Sequence, residues 1–258
     1  MQRPPLRVNL NFYNLMTMAQ VPADLISFGN VGLQSDRCVT VCDGKTDGTG
    51  QLVTIDLKSQ EVSRRPNKAD FVLPHPAKNF TAVRAKAKEN PNHTTVHIYN
   101  MDSKEKILSA NVPDQIKYWT WVNNKLLGMV GAKSAFHISL ENVSGPNATV
   151  VPERIAEREG LMAGVTTPVQ IINYSCDPNN KYSFICGLSK KQESDGTFSV
   201  GGNIQLISLA TEKSNFLEGH ACCFGTTKVH DEFTESTLFA YAEKNKTSGR
   251  LTISERVN

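Results

Sequence analysis

Hydrophobic and polar positions alternate along most of this chain. In Thr94–Asn100 (TTVHIYN), β-branched and aromatic residues recur at every second position, the pattern of a half-buried strand. Side chains of a strand alternate between its two faces, so Thr95, His97 and Tyr99 share one face and Val96 and Ile98 the other. Similar apolar segments recur at CVTVC, QLVTIDL, NFTAVRA, YWTWV, KLLGMVG, SAFHISL, VQIINY, YSFICGL, NIQLISL, STLFAYA and RLTIS. Turn residues separate them at the short intervals of an all-β protein. Pro152–Met162 alone reads as helical, and it is short and polar.

A longer period overlies the strands. Asp24, Asp70, Asp114, Val169 and Ala221 each open a unit with three clear strands, roughly 45–55 residues apart, near the period of a propeller blade. Fainter fourth strands are EVSRR, KILSAN, NATVV and SNFLE. The fold class expected is an all-β propeller of four-stranded blades, with blades near 22–66, 67–113, 114–152, 165–219 and 220–258 in one domain. A solenoid of β-arcs is the alternative, with shorter and more regular repeats. Leu6–Leu10 could supply a strand that closes the ring, yet nothing near the C-terminus looks made to receive it. The five blades therefore read as the front part of a larger ring, with a closed ring of five as the other reading.

Composition narrows the function classes. With 258 residues, 39% hydrophobic and 21% charged, the chain is that of an ordinary soluble protein. A net charge of +3, scattered along the chain, argues against nucleic acid. MQRPPLRVNLNF has no apolar core of a secretory signal, and no apolar run approaches the roughly 18–20 residues that cross a bilayer. A cytoplasmic protein with no direct membrane insertion is expected. The cysteines at 38, 42, 176, 186, 222 and 223 form no C-x-x-C and do not pair with histidines at zinc spacing, so reduced thiols and no metal are expected. Gly201–Gly202 and the Asp-Gly pairs at 43–44, 47–48 and 195–196 read as hairpin turns. There is no nucleophile elbow, phosphate-binding glycine loop or paired acid/base carboxylate, so neither enzyme activity nor a cofactor is expected.

After Tyr99 the chain turns through Asn100–Ser103 into Lys104 and Lys106. One surface then offers hydrogen-bonding groups, an aromatic ring and two cations, which suits an extended peptide with apolar side chains and carboxylates. A half-exposed strand with a solvated lysine turn is the plainer reading of the same residues.

TTVHIYNMDSKEK, SRRPNKAD, YWTWV, QIINY, LEGHA and ESTLFAYA together resemble, in order, the N-terminal domain of the clathrin heavy chain family. The resemblance runs from about Pro22 to the last residue. It implies a seven-bladed propeller followed by a long helical leg, of which this sequence would hold five blades. Ala87–Asn92 reads as an extra loop. It further implies a hub for the disordered tails of endocytic adaptors at coated pits and vesicles, with clathrin light chain reached only through the leg, which this sequence lacks. The family's main site is a groove between blades one and two that takes a clathrin box: apolar, any, apolar, any, acidic. The matching positions are Arg65, Thr95, His97, Tyr99, Lys104 and Lys106, where His97 replaces a Gln and Tyr99 a Phe. Tyr99 would receive a leucine, Thr95 and His97 the peptide backbone, and the lysines its carboxylates. His97 adds a pH response below about 6.5. A second family site, at the channel top, matches Phe28, Gln170 and Ile172, each expected on an innermost strand. A third, between blades four and five, matches poorly: Tyr182 replaces a Trp, Asn215 a Gln and Thr211 a basic residue, while Leu206 and Leu217 stay apolar. A weakened groove is expected there.

A propeller hydrolase with carboxylates around its channel is the alternative from another class. The innermost strands expected here, LISF, FVLPH, IKYWTW, QIINY and CCFG, are apolar and aromatic, which opposes it; Asp24 and Asp114 are the carboxylates it would need.

Overall fold

The computed structural model describes residues 12–254 apart from 35, 44, 46–48, 88–89, 142, 144, 159–168, 193–195, 229–234 and 245–248. The chain divides into two compact units, Met1–Pro74 and His75–Asn258. The expected closing strand Leu6–Leu10 lies outside the described residues, as do part of Ala87–Asn92 and part of each expected Asp-Gly turn.

The first unit opens with a short helix, α1 (Leu15–Ala19), capped by Asn14, whose side chain accepts from the amides of Met16 and Thr17. Its residue Ala19 and the following Val21 pack on Val39, Val41, Val53 and Ile55, so the helix covers one face of a sheet. That sheet is the antiparallel meander β1 (Val31–Leu33), β2 (Cys38–Cys42), β3 (Gln51–Asp56) and β4 (Val62–Pro66), and β5 (Phe71–Pro74) ends the unit. The expected first strand at DLISF is instead a 3₁₀ turn, Ala23–Leu25, running into further turns. Its backbone bonds are local, from Leu25 N–H to Pro22, Ile26 N–H to Ala23 and Ser27 N–H to Leu25, the pattern of tight turns rather than of a ladder.

The second unit repeats the meander. β6 (Phe80–Lys86), β7 (Thr94–Asn100) and β8 (Lys106–Val112) pair antiparallel. β9 (Ile116–Trp121), β10 (Leu126–Gly131) and β11 (Ser134–Ser139) follow, then β12 (Ala148–Val150) and β13 (Glu153–Glu157). Two expectations change here. NATVV, expected as the fourth strand of the third blade, is β12, which pairs in parallel with β8 of the preceding sheet. The expected helix Pro152–Met162 is instead β13 over its first part, paired with β11, and beyond 158 it lies outside the described residues. So short a polar segment cannot hold a helix by itself. As a strand it buries Ile155 and Ala156 in the core.

β14 (Gln170–Cys176), β15 (Tyr182–Gln192), β16 (Phe198–Ser208) and β17 (Ser214–Glu218) form the next meander, and β18 (Ala221–Lys228), β19 (Glu235–Lys244) and β20 (Gly249–Ser254) the last. Gly201–Gly202, expected as a turn, lies inside β16 opposite Ser189 and Leu188. The glycine serves a close approach: a Cβ on Gly202 would collide with the carbonyl oxygen of Gly219.

Successive sheets of this unit share cores across their faces. Val130, Ala135, Ile155 and Ala156 meet Ile171, Tyr174, Cys176, Ile185 and Ile207, while Phe184, Cys186, Ile204 and Leu206 meet Cys222 and Phe239. Consecutive meanders stacked face to face place the chain in the all-β propeller class. A local device recurs at the hairpins, where a side chain opens the turn by accepting backbone amides. Asp56 takes Lys58 and Ser59, Asn100 takes Asp102, and Asp177 takes Asn179, Lys181 and Tyr182.

Candidate peptide-binding site

β7 alternates as its sequence predicts. Thr94, Val96 and Ile98 are buried, while Thr95, His97 and Tyr99 are half-buried on the other face. The register across β8 sets Asn111, Ser109 and Lys106 opposite those three residues. Directly opposed residues of an antiparallel pair project to the same side, so this face carries all six. A bulge at Ile107 keeps the pairing of Tyr99 with Lys106, where an even register would have opposed Ile107. His97 Nδ1 lies 3.0 Å from Ser109 Oγ, and the rings of His97 and Tyr99 meet edge-on at 6.1 Å. Ser109 belongs to KILSAN, legible as a strand, but its place beside His97 depends on the register.

The electrostatics revise one expectation. Burial, and then the charge of Lys106, hold the His97 imidazole below its usual value of 6.5. Any protonation of His97 therefore falls at more acid pH than the free side chain would show.

The lysine turn is built by Asn100, whose carboxamide accepts from Asp102 N–H at 2.9 Å, while Asn100 N–H donates to Glu105. Lys104 follows in the left-handed region at φ 59° and is exposed; Lys106 is half-buried at the start of β8. Arg65 belongs to the first unit, exposed on β4 and opposite Leu52.

The residues matched to the channel-top site have different settings. Phe28 is 55% exposed in a turn before β1, which corrects its expected place on an innermost strand. Gln170 and Ile172 do lie on β14, the strand of its sheet that contacts β9 and β18. Ile171 enters one core while the adjacent Ile172 packs against the next, as alternation along a strand requires, and a register irregularity between Ile171 and Asn173 returns Tyr174 to the side of Ile171. Gln170 is exposed.

Tyr182, Leu206, Asn215 and Leu217 share one face of the fourth sheet. Leu206 opposes Phe184 and Asn215, Leu217 opposes Ile204, and Tyr182 stands two residues before Phe184. The two leucines face the core; Leu206 is only 5% exposed and Leu217 packs against the same cluster. Asn215 is exposed and Tyr182 half-buried, so they form the accessible part of the set. Thr211 is exposed in the turn before β17.

The two carboxylates of the hydrolase reading differ. Asp24 is exposed on the 3₁₀ turn. Asp114 is buried and accepts the backbone amides of Gln115, Lys133 and Ser134 at 2.7–3.0 Å, the work of a strut between two strand ends. Among the described residues no cluster of His, Cys, Asp and Glu is arranged to hold a metal ion, and no helix is long and apolar enough to cross a membrane.

The class is that of an all-β propeller chain with a half-buried polar and aromatic strand face. Its relatives give the particular family: the chain is homologous to the N-terminal region of the clathrin heavy chains. It is 30% identical over 239 residues to clathrin heavy chain 2 of Oryza sativa subsp. japonica, covering 92% of this chain and 13% of that one. It is 31% identical over 257 residues to the probable clathrin heavy chain of Schizosaccharomyces pombe, covering 98% and 14%. The chain thus spans only about one seventh of the length of the curated relatives it matches. No model of a known protein family matches it. Among solved structures, the β-propeller domain of the Trilobed protease from Pyrococcus furiosus covers 89% of this chain and 69% of its own, at 14% identity and a TM-score of 0.44. A likeness that distant carries no argument about activity.

Proposed function

We propose that this chain is the adaptor-binding part of a vesicle-coat protein. It takes short apolar–acidic peptides of the clathrin-box type along the half-buried face of β7 and has no enzymatic role. The observation that carries the reading is the alignment of Thr95, His97 and Tyr99 on one face, with Ser109 and Lys106 opposite them on β8. An extended peptide would lay an apolar side chain against the Tyr99 ring and offer its backbone to Thr95 and His97. Its carboxylate would meet Lys104 and Lys106, each exposed pair contributing roughly 0.2–1 kcal/mol. Homology to clathrin heavy chains supports the coat assignment, and through it the disordered tails of endocytic adaptors as partners at the cytoplasmic face of coated pits and vesicles.

Single motifs bury little area, so affinities in the micromolar range or weaker are expected, and firm attachment would come from many motifs acting together. Titration with a Leu-x-Leu-x-Asp peptide tests the site. Lys104→Glu combined with Lys106→Glu should abolish binding, and Tyr99→Ala should weaken it about tenfold or more. Undiminished binding by both variants would discard the assignment.

A further inference from the structure

A cavity of about 320 Å³ opens at the turn end of the second sheet, on the side away from Tyr99. Phe80 and Asn100 oppose each other in register, and Asn100 follows Tyr99, so both project to the opposite face. Phe80 and the bulged Ile107 provide one apolar wall. Leu140, Val143 and Pro146, from the connection between β11 and β12, provide the other. The volume sits at the low end of the roughly 300–1,000 Å³ typical of ligand pockets, room for one or two side chains and not for a folded partner.

The rim is cationic. Lys78 Nζ stands 5.2 Å from the Phe80 ring centroid, which holds the ammonium over the apolar wall. Lys106 also lines the cavity, and Glu105 is the single acid among its lining residues. Two acids adjacent in sequence to lining residues have partners of their own: Glu141 pairs with Lys125 at 2.7 Å, and Asp102 accepts from the Asn79 carboxamide at 2.5 Å.

We propose that this cavity is a second peptide pocket, separate from the β7 face, for an apolar side chain with a carboxylate one or two residues away. The apolar group enters between Phe80, Ile107 and Leu140, and the carboxylate meets Lys78 and Lys106. Complementary charge selects an acidic tail over a neutral one. The pocket does not depend on the β7 face binding anything, although Lys106 borders both surfaces. The double lysine reversal therefore cannot separate the two sites, whereas Lys78 and Tyr99 can.

The test uses an acetylated Ser-photoleucine-Ile-Asp-Asp-Ser peptide with the whole chain, with cross-links mapped by mass spectrometry and affinity read by fluorescence polarisation. The expected result is cross-linking to 139–147 and 78–80. Lys78→Glu, an exposed position, should weaken that cross-link about tenfold, as should replacing both aspartates of the peptide by asparagine. Val143→Arg should block it by filling the mouth, and Tyr99→Ala should leave it unchanged. Cross-links confined to β7, loss of the 139–147 cross-link in Tyr99→Ala, or equal affinity for the asparagine peptide would each overturn the pocket. Loss of β7 cross-links alone in Tyr99→Ala would leave the pocket standing and speak only to the β7 site.

Discussion

His137 gives the sharpest handle on the stability of the second unit. It lies on β11, 5% exposed, with Nε2 2.6 Å from the Tyr174 hydroxyl and 3.7 Å from Cys176 Sγ. Burial pulls its imidazole down to about 4 from an ordinary 6.5. The same burial raises Tyr174 and Cys176, to about 12 for the thiol, so both stay protonated and neither offers a charge to an imidazolium. Glu153, the residue opposite on β13, is exposed. A depressed histidine favours folding fully above pH 6.5, and that contribution drains away as pH falls towards 4, because the unfolded chain takes up the proton first. The full difference is about 3 kcal/mol, of which about 2 kcal/mol disappears between pH 7 and pH 5. Urea unfolding at pH 7, 6 and 5 measures it. Both tryptophans of the chain, Trp119 and Trp121, are buried on β9 of the same sheet and report its unfolding. His137→Gln should be less stable at pH 7 and should lose about 2 kcal/mol less than the native chain on going to pH 5. Parallel curves for the two proteins would refute the assignment of the buried neutral imidazole.

Two further predictions concern packing and struts. A Cβ on Gly128 would lie 2.5 Å from Tyr174 Cε1 and 2.9 Å from Val122 Cγ2, so Gly128→Ala should cost about 1–3 kcal/mol and lower Tm by roughly 3–10 °C in calorimetry. Asp114→Ala strands the amides of Gln115, Lys133 and Ser134 and should cost about 2–4 kcal/mol in the same urea assay. If Asp114 were instead a catalytic carboxylate, a glycoside panel would show turnover that the variant loses with stability intact.

The strands that alternate strongly were readable residue by residue, because burial of one face imposes a period of two that no other structure satisfies. TTVHIYN became β7 with the predicted faces, and KILSAN and SNFLE, though faint, became β8 and β17. DLISF was misleading because its apolar residues suit a strand while Pro22 and Asp24 suit a turn, and the segment takes local turn hydrogen bonds. Pro152–Met162 was misleading in the opposite way: weak helical preference yields to an open strand edge and a core that needs Ile155 and Ala156. The cavity beside Phe80 was invisible, since Lys78, Ile107 and Leu140 are far apart in sequence.

By itself, then, the order of residues determined the strand-rich, blade-like repeat and which side chains of its strongly alternating strands share a face, because these follow from local periodicity. The tertiary structure alone decided which strand edges pair, where a bulge sets Lys106 against Tyr99, and which apolar residues, such as Leu206, disappear into the core. Those outcomes turn on contacts between segments distant in the chain, whose energies no local pattern encodes.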